Sequence, residues 1–171
     1  MERIERTALR NLIHNEEYSR KVLPFIKEDY FSDRLERLLF KEIYRFITKF
    51  NALPTKEALS IEINDSKDIT EDEYKKITDI IATLNPEKIN LEWLVETTEK
   101  FCKDRAIHNA ILSGIQIIDG KDKKHTPEYL PDLLSDALSV SFDQKVGHDY
   151  LLETKERFDF YKKKEERLEL D

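Results

Sequence analysis

The stretch from Asn90 to Asp119, NLEWLVETTEKFCKDRAIHNAILSGIQIID, contains no proline and one interior glycine, Gly114. It reads as one helix of roughly eight turns, well beyond the usual length in a globular domain. A helix that long is not fully buried in a small protein. Its apolar positions, Leu91, Leu94, Val95, Phe101, Cys102, Ile107, Ala110, Ile111, Ile115 and Ile118, recur at intervals of about three and four, so part of the stripe is expected to face another chain.

The rest of the 171-residue chain follows the same period. With only 3 Gly and 5 Pro it lacks the turn chemistry of a hairpin-rich sheet protein, and no long run alternates apolar and polar residues. The expectation is an all-α fold in three parts: a helical-bundle head over 1–85, an antiparallel helical hairpin over 86–143 and a C-terminal linker helix within 144–171. In the head, Ile4, Ala8, Leu9, Leu12 and Ile13 mark a first helix and Asn15 caps a second that ends before Pro24. Phe25, Tyr30 and Phe31 cover the first core. Ser32 and Asp33 open a third helix, with an apolar stripe of Leu35, Leu38, Leu39, Ile43, Phe46, Ile47 and Phe50. Thr55 after Pro54 caps a short helix holding Ala58, Leu59 and Ile61, and Thr70 with Glu73 forms a capping box before a fifth helix.

Beyond the long helix, Gly120 and a lysine-rich tip lead to Thr126 and Pro127, which start a returning helix carrying Tyr129, Leu130, Leu133, Leu134, Ala137 and Leu138. After Gly147, a heavily charged amphipathic segment from Asp149 to about Leu168 carries Leu151, Leu152, Phe158 and Tyr161, an apolar face with no obvious home in its own chain.

Several function classes fall away. A net charge of −7 disfavours the chain as a sequence-independent DNA binder. Gly114, Gly120 and Gly147 are too few and too scattered for a phosphate loop. His14, His108, His125 and His148 have no metal-ligand spacing, and the acidic run Glu71, Asp72 and Glu73 has a helix-start explanation. Cys102 lies in the apolar stripe and reads as packing, and a single cysteine excludes an intrachain disulfide. No catalytic, metal or cofactor site is expected. The charged start MERIERTALRNLIHNEE is unlike a signal peptide, and no run of about 18 apolar residues occurs, so the expectation is a cytoplasmic protein without a membrane partner.

Two features keep a functional reading. Lys121, Lys123 and Lys124 at the hairpin tip are candidate contacts for nucleic acid or an acidic partner, whereas Lys162, Lys163 and Lys164 are balanced by Glu165 and Glu166. Trp93 opens the long helix as either head core or an interface anchor. The candidate subunit-interface set is Trp93, Leu94, Phe101, Ile107, Ile111, Ile115, Leu130 and Leu134.

The order of these segments resembles the N-terminal domain of DnaB-type hexameric replicative helicases. The resemblance rests on Leu12-Ile13, Tyr18-Ser19-Arg20-Lys21-Val22-Leu23-Pro24, Tyr30-Phe31, Leu53-Pro54-Thr55 and the run Trp93-Leu94-Val95-Glu96-Thr97-Thr98-Glu99-Lys100 with Arg105-Ala106. Ala137-Leu138-Ser139-Val140-Ser141-Phe142-Asp143 and Val146-Gly147-His148-Asp149 are closest to the T-even phage branch. The resemblance implies a non-catalytic collar that joins sister subunits into a hexamer, receives primase, and sends Leu151, Leu152, Phe158 and Tyr161 to dock on a neighbour's motor domain. ATP, Mg and DNA unwinding would belong to the parent helicase, whose motor domain with its phosphate loop is missing from this sequence. A free-standing helical adaptor or helicase loader, or a minor DNA-binding module working through the lysine tip, are the competing readings.

Overall fold

Five of the helices start where a short polar side chain satisfies the first free backbone N–H groups. The structure, a computed structural model, describes residues 3–142. Among them are seven α-helices and two 3-10 turns, with no strand: α1 (Ile4–His14), α2 (Glu16–Val22), α3 (Arg34–Phe50), α4 (Lys56–Asn64), α5 (Glu71–Thr83), α6 (Leu91–Ile118) and α7 (Leu130–Leu138). The fold is therefore all-α. Asn15 caps α2 by accepting from the Tyr18 N–H, Asp33 caps α3 by accepting from Leu35 and Glu36, and Thr55 caps α4 by accepting from Ala58. Thr70 and Glu73 complete a capping box on α5, and Asn90 accepts from the Trp93 N–H at 2.8 Å to start α6.

Helix ends are equally specified. Asn51 closes α3 in the left-handed region at φ 50°. Gly120, at φ 68°, closes α6: its N–H donates to Ile117 O and that of Lys121 to Gln116 O, the paired bonds of a Schellman cap.

Met1–Val140 form one compact unit, whereas 141–171 fall in a second unit of which only Ser141 and Phe142 are described. The first unit's core is built from Leu9, Leu12, Tyr18, Phe31, Leu39, Ile43, Leu59, Ile63, Ile77, Leu84 and Leu94, all essentially inaccessible to water. Phe31 is its hub, stacked on Phe40 of α3 at 5.0 Å between ring centroids and edge-on to Phe101 of α6 at 6.1 Å. A buried carboxylate fastens α1 to the start of α3: Glu36 accepts from Arg6 Nε at 2.6 Å and from an Arg3 guanidinium nitrogen at 3.2 Å.

Three expectations change. On α4 the inward pair is Leu59 and Ile63, and Ile61 is exposed, because positions four apart share a helix face and positions two apart do not. Phe50 is half-exposed at the end of α3, its ring tilted against Phe46 at 4.6 Å between centroids with Lys49 over it. The returning arm is also short: Pro127 opens a 3-10 turn over Pro127–Tyr129, Thr126 makes no side-chain cap, and α7 covers only nine residues against twenty-eight in α6. In length that is about 14 Å against about 42 Å. The segment carrying Leu151, Leu152, Phe158 and Tyr161 lies outside the described residues.

The capping box gives a pH test. The Thr70 N–H and the Arg34 guanidinium hold the Glu73 carboxyl at about 2 instead of the ordinary 4.5. A carboxyl depressed in the folded state stabilises fully above its unfolded value and loses that contribution as pH falls toward the folded one. Between pH 4.5 and about 2, urea midpoints should therefore fall more steeply for the native chain than for Glu73→Gln, with the two curves running parallel above pH 5.

Candidate protein interface

The long helix carries two apolar faces, and they do different jobs. Leu94, Thr98, Phe101, Cys102, Ala106, Ala110, Gly114 and Ile117 are buried. The first half of that series packs into the head against α1, α2 and the 3-10 turn Glu28–Tyr30, and the second half packs against α7. Tyr18 of α2 hydrogen-bonds Thr98 Oγ1 at 2.8 Å, while Thr98 in turn donates to Leu94 O at 2.7 Å. Burial and loss of water raise the Tyr18 hydroxyl well above its ordinary value and push the Cys102 thiol up to about 12, so neither ionises near neutrality.

This placement changes the candidate interface at Leu94, Phe101 and Leu130, the last of which packs against Gly114 of α6. Leu94 is 0% and Phe101 8% exposed, both committed to the protomer's own core. Trp93 is 54% exposed and lies off that face, which removes its core reading. His108 is exposed.

The second face is on the hairpin. Successive helical residues turn by about 100°, so Ile107, Ile111, Ile115 and Ile118 fall within about 80° of one another. Ile111 and Ile115 are each 50% exposed, Ile118 more so, and Ile107 half-buried. On α7, Leu130, Leu133 and Ala137 turn inward while Leu134 and Leu138 are exposed. A Cβ on Gly114 would come within 3.1 Å of Leu130 Cδ2, and Leu133 and Ala137 line a hollow with Ala106 and Ala110, which fixes the antiparallel register.

Seen down each helix from its own N-terminus, the exposed stripe lies clockwise of the packed stripe on both helices, by about 100° on α6 and about 90° on α7. In an antiparallel pair these offsets put both stripes on the same side. Ile107, Ile111, Ile115, Ile118, Leu134 and Leu138 thus form one continuous apolar surface. The opposite side of the hairpin is polar and faces the head: Asn109 Nδ2 donates to Asp29 O at 2.9 Å, and Ser113 and Asp136 line the same hollow as Lys27 and Tyr30.

Leu138 and Ile118 belong to this surface although the candidate interface set omits them. The signal that finds them is the small-residue series Ala106, Ala110 and Gly114, which marks the packed face of α6 and so fixes which residues are left over.

The lysine tip is a built turn. Asp122 accepts from the Lys124 and His125 N–H groups at 2.7 and 3.3 Å and from His125 Nδ1 at 2.9 Å, and His125 stacks on Tyr129. The His125 contact and those N–H groups hold the Asp122 carboxyl below its ordinary range. Lys121 lies 3.5 Å from Asp119, whereas Lys123 and Lys124 are exposed with no ion-pair partner among the described residues. Among the described residues no three His, Cys, Asp or Glu side chains are grouped to hold a metal, and no helix is long and apolar enough to cross a membrane.

An all-helical head carrying a hairpin with a continuous exposed apolar face defines a protein whose conspicuous surface is suited to helix packing. No protein-family model matches the sequence. The chain is a relative of the DnaB-type replicative helicases: it is 32% identical over 151 residues, 84% of its length, to the DnaB-like replicative helicase of Enterobacteria phage T4. It spans about a third of that relative's length, 32%.

The two faces predict different outcomes for substitution. Phe101→Ala should cost about 3–5 kcal/mol in urea unfolding, as expected for a large side chain lost from a packed core. Ile111→Lys, on the exposed stripe and in a good helix former, should stay within about 0.5 kcal/mol of the native protomer when measured on monomer.

Proposed function

We propose that this chain is the non-catalytic assembly portion of a phage-type replicative helicase, joining sister subunits through the hairpin and presenting the resulting collar to primase. The observation that carries the reading is the continuous surface of Ile107, Ile111, Ile115, Ile118, Leu134 and Leu138 on a chain related to the T4 helicase. A second hairpin, related by a two-fold axis, offers that surface the same surface, which is how isologous interfaces close. In the whole protein the subunits would form a hexamer. ATP, Mg and DNA unwinding would be the work of a motor domain beyond these residues, because Gly114, Gly120 and Gly147 build no phosphate loop.

In this arrangement Leu151, Leu152, Phe158 and Tyr161 are the face of a linker helix that reaches a neighbour's motor domain. Primase would meet the collar on surfaces completed only when subunits pair.

Light scattering on the purified chain tests the assembly half. The native chain is expected to gain mass with concentration, and the Ile111→Lys, Leu134→Lys double variant to remain monomeric with an unchanged helical circular-dichroism spectrum. A native chain that is monomeric at all concentrations, or a double variant that assembles as the native chain does, would overturn the proposal.

A further inference from the structure

On the head, away from the hairpin surface, three hollows run end to end along the outer side of α3. The first, about 360 Å³, lies between Leu23, Pro24, Tyr44, Ile47 and the Asn51–Leu53 turn. The second, about 350 Å³, shares Leu23, Pro24 and Tyr44 with it and adds Ile26 and Phe40. The third, about 180 Å³, shares Glu28 and Lys41 with the second and ends at Arg34 and Arg37.

Arg34, Arg37, Lys41, Tyr44, Thr48 and the C-cap Asn51 line the hollows at three-and-four spacing, with Leu38, Phe40 and Ile47 of α3 beside them, so a single trough follows the helix from end to end. That is about 25 Å, the length of four to five helical turns. The floor is apolar at the Tyr44 end and cationic at the Arg34 end. Lys27 and Arg37 have no ion-pair partner among the described residues, whereas Arg34 pairs with Glu73 at 2.8 Å and Lys41 with Asp68 at 3.0 Å.

We propose that this trough binds an amphipathic helix of another protein, laid along α3 with apolar residues at three-and-four spacing over Tyr44 and Pro24 and carboxylates beside Arg37 and Lys27. Charge distribution selects this occupant. A nucleic-acid backbone needs a run of free cations, and here three of the five, Arg20, Arg34 and Lys41, are already paired with carboxylates, Glu16 and Glu28 line the trough, and the whole chain carries −7. A second copy docking isologously would set the cationic end of one trough against the apolar end of the other, leaving Arg37 without a counter-charge. A short acidic amphipathic helix satisfies both ends at once, in the helix-in-groove mode.

The test uses three fluorescent probes on the full chain: a designed eighteen-residue helix with leucines at three-and-four spacing and flanking glutamates, the same helix with lysines replacing the glutamates, and an eighteen-nucleotide single-stranded DNA. The glutamate helix is expected to bind, to protect the amides of 34–51 in hydrogen exchange, and to lose about tenfold in affinity on Arg37→Glu and on Tyr44→Ser, two surface changes whose folding is checked by circular dichroism. Absence of binding, equal or tighter binding of the lysine helix or the DNA, or affinity unmoved by both substitutions would overturn the assignment. Because Ile111→Lys with Leu134→Lys leaves the trough intact, failure of hairpin assembly leaves this result unaffected.

Discussion

The insertion of the first half of α6 into the head is the constraint from which the rest of the structure follows. Leu94, Thr98, Phe101 and Cys102 lock that half between α1, α2 and the Glu28–Tyr30 turn, with the Phe31–Phe101 edge contact and the Tyr18–Thr98 hydrogen bond fixing its rotation about its own axis. Rotation is the consequential degree of freedom. Once Phe101 points at Phe31, the helical period places Ala106, Ala110 and Gly114 where α7 packs, and leaves Ile107, Ile111 and Ile115 partly exposed beside that contact. A core contact at one end of a helix therefore sets the direction of the exposed surface at the other, about 20 Å away.

Much of this was legible in the residues. Asn15, Thr55, Thr70 and Asn90 are short polar side chains that declare helix starts, and each makes the capping bond expected of it, whereas at α3 the cap is Asp33, one residue after the expected Ser32. The length of α6 followed from the absence of any proline between Asn90 and Asp119. These are local properties, decided within a turn or two of chain.

What was not legible depends on partners far away in sequence. Leu94 and Ile111 belong to the same broad apolar stripe when α6 is read alone, and only the head on one side and α7 on the other divide that stripe into buried and exposed faces. The brevity of α7 has a local cause instead. Pro127 and Pro131 both suit a helix start, but together they hold the first turn in 3-10 geometry, and the chain leaves the helix at Ser139. The trough along α3 was invisible because its floor mixes Pro24 and Leu23 from one segment with Tyr44 and Arg37 from another, and its polar positions read as ordinary solvated helix surface.

The size of the hairpin surface bears on how it can be used. Burying the remaining exposed half of one isoleucine or leucine contributes on the order of 1 kcal/mol, and a two-fold pair of hairpins brings together about a dozen such side chains. Losing translational and rotational freedom costs roughly 4–15 kcal/mol. The two are comparable, so a single pair of hairpins would associate weakly and reversibly. In a closed ring, where each subunit is held by more than one contact, the same pairing becomes intramolecular and the entropic cost is largely met once. A surface of this size is thus too small to make an obligate dimer by itself. That is also why the apolar face can remain on a chain with 38% charged residues without driving uncontrolled association.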